Sequence, residues 1–173
     1  KDTKETIRDL KKIGIKKTIM LTGDRKNIAN YIGNDIEIDE IYSELLPQDK
    51  VDIFEKIISK NNSKSKIAFV GDGINDAPVL ARADIGIAMG AMGSDAAIEA
   101  ADIVIMNDEP SKIITAIKLA RKTIKIANQN MLVAFGVKVL ALILSALGIA
   151  DMWMAVFADV GVTIIDVLNS FRA

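Results

Sequence analysis

The sequence predicts an α/β domain leading into an α-helical membrane hairpin, and three observations carry that prediction. Short apolar runs alternate with helical patterns through residues 1–127, as in a largely parallel sheet with right-handed crossovers. One such run, Lys66 to Val70, ends in an acidic, glycine-flexed turn, Gly71-Asp72-Gly73-Ile74-Asn75-Asp76-Ala77-Pro78. Two apolar stretches, each about one bilayer long, then follow with charge near their middles, Lys138 in the first and Asp159 in the second.

Each element has its own signal. Ile7, Leu10 and Ile13 recur at helical spacing, so residues 2–13 read as an amphipathic helix stopped by Gly14. Thr18 to Leu21 is a short buried strand leading into Thr22-Gly23-Asp24, and residues 24–32 read as a helix. Ile38 to Tyr42 is a weaker strand, and Pro47 opens a helix through Ile58. A polar loop at 61–65 precedes the strand at 66–70 and the acidic turn. A helix near 75–82, a strand at 85–88, a helix near 94–100 and a strand at 103–106 complete the soluble part. Pro110 then opens a helix to about Asn130 that is basic at its far end: Lys118, Arg121, Lys122 and Lys125.

Residues 131–149 and 152–169 read as the two spans, with a turn at Gly148 to Asp151 and Trp153 at the interface. The domain division is therefore 1–127 cytosolic and 128–173 hairpin. Lysines before the first span and Arg172 after the second put both ends in the cytosol, as expected of an integral protein of the cell membrane. About eleven strongly apolar residues, at roughly −0.3 to −0.6 kcal/mol each, outweigh Lys138 at roughly +3 in the first span. The second sets about eight against Asp159 and Asp166, at roughly +2.5 to +3.5 each. It therefore needs neighbouring helices or a water-filled site.

Composition sets limits. Net charge is −1 over 173 residues, so electrostatics gives no reason for a nucleic-acid partner. The chain has no cysteine and no histidine, which excludes disulfides, Cys/His zinc sites and histidine acid–base chemistry in this segment. It opens with a polar helix start and no initiator Met, and reads as a piece of something longer. A strand ending in clustered carboxylates suits Mg²⁺ beside a phosphate, because hard cations take oxygen ligands. A phosphate-type site joined to intramembrane charge suggests an ion pump.

Four short elements in order go beyond a generic phosphate site: Thr22-Gly23-Asp24 after a strand, Leu46-Pro47-Gln48-Asp49-Lys50 opening a helix, Gly71 to Asp76, and Ala83 to Gly90. Together they resemble the phosphorylation domain of P-type ATPases, a Rossmann-like parallel sheet of haloacid dehalogenase type. The run Met89 to Asp95 and the hairpin look like the heavy-metal class. Asn130 standing seven residues clear of Lys138, with Asp159-Val160-Gly161 in the last span, is similar to the zinc/cadmium/lead exporters. The Tyr-Asn and Met-Ser-Ser pattern of copper exporters is absent.

The resemblance implies roles. Thr22 and the Gly23 amide would hold the phosphoryl oxygens of an aspartyl-phosphate, with Asp24 beside them, and Lys50 would neutralise their charge. Asp72 would ligate Mg²⁺, with Asn75 and Asp76 positioning phosphate and metal. Taken singly, Asp24 also reads as a helix cap and Lys50 as a surface lysine. In the last span Asp159 would bind the transported Zn²⁺, Cd²⁺ or Pb²⁺, with Lys138 as counter-ion. Hairpin register puts Asp166 within reach of a shared pair with Lys138, or at the interface and hydrated. Met131, Met152 and Met154 lie at span ends, where packing is the better reading, and Lys11, Lys12, Lys16 and Lys17 read as a solvated face.

The family's nucleophile, the Asp of an Asp-Lys-Thr-Gly-Thr motif, is missing. So are the ATP-binding domain, the actuator domain and the other membrane helices that would be this segment's partners alongside lipid. The expected sheet is incomplete, with the nucleophile strand absent between those ending at Thr22 and Gly71, and residues 1–127 alone should be marginally stable. The leading reading is the C-terminal part of an ATP-driven heavy-metal exporter, inactive by itself. The alternatives are a non-catalytic membrane-anchored fragment with a regulatory or degenerate role, and a phosphatase-like protein with a membrane tail.

Overall fold

The computed structural model describes residues 2–61, 65–71, 74–90, 95–107, 109–149 and 151–172. The elements in chain order are α1 (Asp2–Lys12), β1 (Ile19–Leu21), α2 (Lys26–Asp35), β2 (Glu40–Tyr42), α3 (Pro47–Lys60) and β3 (Ala68–Gly71). A 3-10 turn (Ile74–Asp76) then runs into α4 (Ala77–Leu80), followed by β4 (Ile85–Met89), α5 (Asp95–Ala100), β5 (Ile103–Ile105), α6 (Ser111–Ala146) and α7 (Met152–Ser170). The chain divides into two compact units, Lys1–Ile114 and Thr115–Ala173.

Local chemistry sets most boundaries in the first unit. Gly14 adopts φ +97°, a left-handed conformation that favours glycine and ends α1. Pro47 is the first residue of α3, where its missing N–H costs nothing. The Asp49 carboxylate reaches back to accept the Leu46 N–H at 2.9 Å. Leu46 has no side-chain acceptor to offer in return, so only that half of a capping box exists. The helix expected over 75–82 is shorter than its pattern suggests, a 3-10 turn and a single α turn.

The strands form two parallel sheets rather than one. β1 pairs β2 with Ile19 opposite Glu40 and Leu21 opposite Tyr42. In the other sheet, β3 pairs β4 and β4 pairs β5. β4 is interior, with Gly86, Ile87 and Ala88 buried. β3 is apolar in sequence yet half open, with Val70 42 % exposed. Among the described residues, β1 and β3 each have a strand on one edge only. Helix α3 serves both sheets: Val51 and Phe54 form a core with Val79, against which Leu21 of β1 and Phe69 of β3 both pack. Phe54 and Phe69 meet edge to face at 5.5 Å.

One device recurs at the entrance to the strands. An aspartate just before a strand accepts a backbone N–H from the start of the neighbouring strand. Asp39 takes Thr18 N–H at 2.8 Å, Asp84 takes Ile67 N–H at 2.9 Å, and Asp102 takes Gly86 N–H at 2.8 Å. Each clamp satisfies a donor at the strand's entry and fixes the parallel register. Lys11 pairs with Asp39 at 2.8 Å, Lys17 with Glu40 at 2.7 Å, and Lys12 with Asp9 at 2.7 Å. Lys11 and Lys17, read from the sequence as part of a solvated face, thus tie α1 and the start of β1 to β2, while Lys12–Asp9 lies within α1.

In the second unit the expected break near Asn130 does not exist. α6 is one helix of 36 residues, because nothing between Ser111 and Ala146 interrupts it except Gly136, which stands in open space. Among the described residues α6 is the helix long and apolar enough to cross a membrane. α7 has the expected extent but carries Asp159 and Asp166.

Acid should test the strand clamps. The Lys11 hydrogen bond, followed by those from Thr18, holds the Asp39 carboxyl down at about 2, from an ordinary 3.8. Lys66, then the Ile67 N–H, lowers Asp84 in the same direction. A depressed folded-state value means the stabilisation is complete above the unfolded value and is lost as pH falls through the folded one. For Asp39 that window is about pH 4 to 2. Thermal melts of Asp39→Asn are expected to start lower at pH 7 and to decline less than the parent between pH 4 and 2. Parallel declines would remove Asp39 from the account.

Candidate functional site

The site lies where β1 and β3 end. Thr22 continues the β1 pairing, its N–H donating to Tyr42 O at 3.0 Å. Its Oγ1 donates to Asp24 Oδ2 at 2.8 Å, and the Asp24 N–H donates back to Thr22 Oγ1 at 3.2 Å. Asp24 is therefore not the cap of α2. That helix starts two residues later, after an extended Arg25, because the Asp24 carboxylate is already turned to Thr22. The turn is bonded to the β2–α3 connection: Leu45 N–H donates to Thr22 O at 3.1 Å and Glu44 N–H to Asp24 O at 2.9 Å. A Cβ at Gly23 would lie 3.2 Å from the Leu45 carbonyl, so the glycine permits this approach.

Two residues beyond Leu45, α3 begins and delivers Lys50 from its first turn. Lys50 Nζ donates to Asp76 Oδ1 at 2.8 Å. This is an inward-facing pair, the side chains being 18 % and 11 % exposed, so Lys50 is not a surface lysine. Asp76 is seated against the end of β3. A Cβ at Gly71 would stand 2.8 Å from the Asp76 Cβ and 3.1 Å from its Oδ2, closer than side chains pack. Gly71 is thus required by the carboxylate five residues later. Withdrawing one partner from such a pair typically costs about 3–5 kcal/mol, because it strands a desolvated charge.

Asn75 is exposed beside this pair. Asp72 and Gly73, and the run 91–94, lie outside the described residues. Oxygen is the donor chemistry present: Asp76 in place, Asp72 four residues before it in sequence, and no cysteine or histidine anywhere in the chain. That set suits a hard divalent cation such as Mg²⁺. Among the described residues no cluster of three or more carboxylate, His or Cys groups occurs. The Thr22–Asp24 group and the Lys50–Asp76 group are joined by backbone through Leu45 rather than by a direct side-chain bond.

In the hairpin, Lys138 Nζ meets Asp159 Oδ1 at 3.2 Å, the carboxylate the resemblance pairs it with rather than the one register favours. Asp166 stands apart from this pair: among the described residues no ion pair joins it to Lys138. Its bonds run through the backbone carbonyl, which accepts Asn130 Nδ2 at 3.0 Å and Ser170 Oγ at 2.8 Å. Asn169 Nδ2 donates to Asn130 Oδ1 at 2.7 Å, and Arg172 Nη1 to Asn169 Oδ1 at 3.2 Å. This amide network staples α6 to α7. Sequence reasoning missed it, although three amide or hydroxyl side chains at the ends of apolar segments were its signal. Met131 and Met154 are exposed, 66 % and 57 %, as end-of-span packing residues would be in the chain by itself.

Comparison with known proteins gives a consistent result. Residues 1–84 match the family model described as haloacid dehalogenase-like hydrolase. The cadmium, zinc and cobalt-transporting ATPase of Bacillus subtilis (strain 168) is 57 % identical over 99 % of this chain and 24 % of its own length. The zinc-transporting ATPase of Synechocystis is 53 % identical over the same shares. A crystal structure of a zinc-transporting PIB-type ATPase in the E2.Pi state superposes with a TM-score of 0.89 at 37 % identity, covering 99 % of this chain and 27 % of that one. The chain spans about a quarter of the length of the curated relatives it matches. With this likeness running over nearly every residue, the chain belongs, as a segment, to the heavy-metal class of P-type ATPases.

Proposed function

We propose that this segment is the phosphorylation-domain remainder and last helix pair of an ATP-driven exporter of divalent heavy metals working through an aspartyl-phosphate. The single observation that carries this reading is the inward Lys50–Asp76 pair at 2.8 Å, seated at the end of β3, whose other edge has no strand among the described residues. An open edge on β3 and another on β1, both packed on the α3 core, suit one inserted parallel strand. The nucleophile would arrive on that strand. Thr22 and the Gly23 amide would hold the phosphoryl oxygens, Lys50 would offset their charge, and Asn75 would orient them. Asp72 and Asp76 would hold Mg²⁺, which when bound supplies charge neutralisation at the phosphoryl group. Asp159 would take the zinc or cadmium cargo, with Lys138 competing for the same carboxylate. Residues ahead of α6 would face the cytosol and α6–α7 would span the cell membrane, beside the pump's other domains and helices.

The inserted-strand reading makes a direct prediction for the chain itself. A peptide carrying an apolar strand followed by Asp-Lys-Thr-Gly-Thr, added in excess, is expected to raise the melting temperature of the first unit, since a ligand of the folded state alone stabilises it by mass action. A scrambled peptide should leave it unchanged. A sharp, high-temperature melt of the chain alone that the peptide does not move would count against an open slot.

In a complete pump containing this segment, Lys50→Met is expected to lower metal-stimulated ATP hydrolysis by more than about 100-fold, the scale of losing a charged stabiliser of a transferring group. Asp159→Asn should instead abolish metal stimulation while leaving acyl-phosphate formation from inorganic phosphate intact. Wild-type turnover in the Lys50 variant, or undiminished metal dependence in the Asp159 variant, would refute the corresponding role.

A further inference from the structure

We propose that Asn130 and Asn169 are positioning residues that set α6 against α7 and so assign Lys138 to Asp159 instead of Asp166. The proposal rests on the reading of α6–α7 as the last helix pair of the exporter. Asp159 and Asp166 are seven residues apart, about 700° of helix, so both lie on nearly one face of α7. Helical side chains lean toward their own N-terminus. In an antiparallel pair Lys138 and Asp166 therefore lean toward each other, while Asp159 leans away. The ion pair nonetheless joins Lys138 to Asp159, at 3.2 Å. Side-chain direction does not make that choice.

The amide staple does. Asn169 Nδ2 donates to Asn130 Oδ1 at 2.7 Å, and Asn130 Nδ2 donates to Asp166 O and Ser170 Oγ, each at 3.0 Å. With Asn130 level with Asn169, eight residues along each helix bring Lys138 level with Gly161. Asp159 is then about 3 Å away along the axis and Asp166 about 7.5 Å, at about 1.5 Å per residue. A slip of α7 by one turn, about 5.4 Å, would set Lys138 level with Ile164 or Ile165 and reverse that order. The apolar surface is a weak guide against it. The covered positions there include Ala134, Val137 and Ala141 on α6 and Ala158 and Val162 on α7. They are small or β-branched side chains at helical spacing, so a one-turn slip meets side chains of the same kind. The connection over 147–151 can reach about 16 Å and does not forbid the slip. A polar amide at one position of an apolar helix pair fixes such a register. The choice matters for cargo, because a Lys138 held by Asp166 would leave Asp159 without its competitor.

The chain has no cysteine, so introduced pairs report register by disulfide formation in the whole chain in phosphatidylcholine bilayers. A141C/A158C, level in the stapled register, is expected to close at least about fivefold faster than A141C/V162C. In N130L/N169L the order should reverse. Adding D166N to that variant should restore it, because Asp159 is then the carboxylate left for Lys138. An unchanged preference for A141C/A158C in N130L/N169L overturns the proposal. So does a staple-free chain that D166N does not alter, since the amides would then only clasp the helices. Failure of both pairs to close with the staple intact overturns it together with the hairpin. In a complete pump, N130L/N169L is expected to reach half-maximal metal stimulation at about fivefold lower metal, and D166N to reverse this. An unchanged value removes the link to cargo. Undiminished metal dependence in Asp159→Asn would instead refute the exporter reading while the disulfide pattern stood.

Discussion

An interior strand of a parallel sheet must pair both edges, because each backbone N–H and C=O left dry and unpaired costs about as much as a lost hydrogen bond. β1 and β3 have the composition of interior strands and one paired edge each. Around them the described strands form a two-stranded and a three-stranded parallel sheet. The aspartate clamps hold register at the strand entrances, where it does not depend on what fills the centre. α3 bridges both halves with Phe54 and Val51, so the two small sheets share a core while lacking a common ladder. The exposure of Val70 is the local cost of that arrangement.

The same constraint explains why the chemistry sits where it does. Parallel strands present their carboxyl ends on one side, and the turns there can bend inward only where side chains permit. Gly23 and Gly71 are those permissions, one against the Leu45 carbonyl and one against Asp76. Lys50 reaches the site because Pro47 and Asp49 fix the start of α3 within a turn of it. A desolvated ammonium–carboxylate pair is a poor device for stability alone. In the role proposed for Lys50, it would hold a positive charge in place for an incoming phosphoryl group.

Much of this was legible in the sequence, for a physical reason: turns that approach backbone closely need glycine, and clustered carboxylates after an apolar run have few purely structural uses. The gap expected between the strands ending at Thr22 and Gly71 came from the family resemblance, whereas the order β3-β4-β5 was not read from the sequence. What could not be read was local competition. Asp24 is a good cap in isolation but loses to Thr22 Oγ1. Lysines 11 and 17 look solvated until the β1–β2 register places Asp39 and Glu40 beside them. The single long α6 was hidden because Asn128, Gln129 and Asn130 interrupt apolarity without interrupting helix.

The hairpin poses the converse problem, how to keep charge in an apolar segment. A lone carboxylate or ammonium near mid-bilayer is expensive, and pairing Lys138 with Asp159 lowers the cost for both. In the role proposed for Asp159, a divalent cation would have to displace this ammonium, which is held on the neighbouring helix within 3.2 Å of the carboxylate. The staple at Asn130, Asn169 and Ser170 joins α6 to α7 near the other end of the pairing and helps keep that partner in register. Asp166 contributes its backbone carbonyl to the staple and leaves its carboxylate free of Lys138. One charge pair is thereby reserved for one carboxylate, which is the arrangement a release step by counter-ion competition requires.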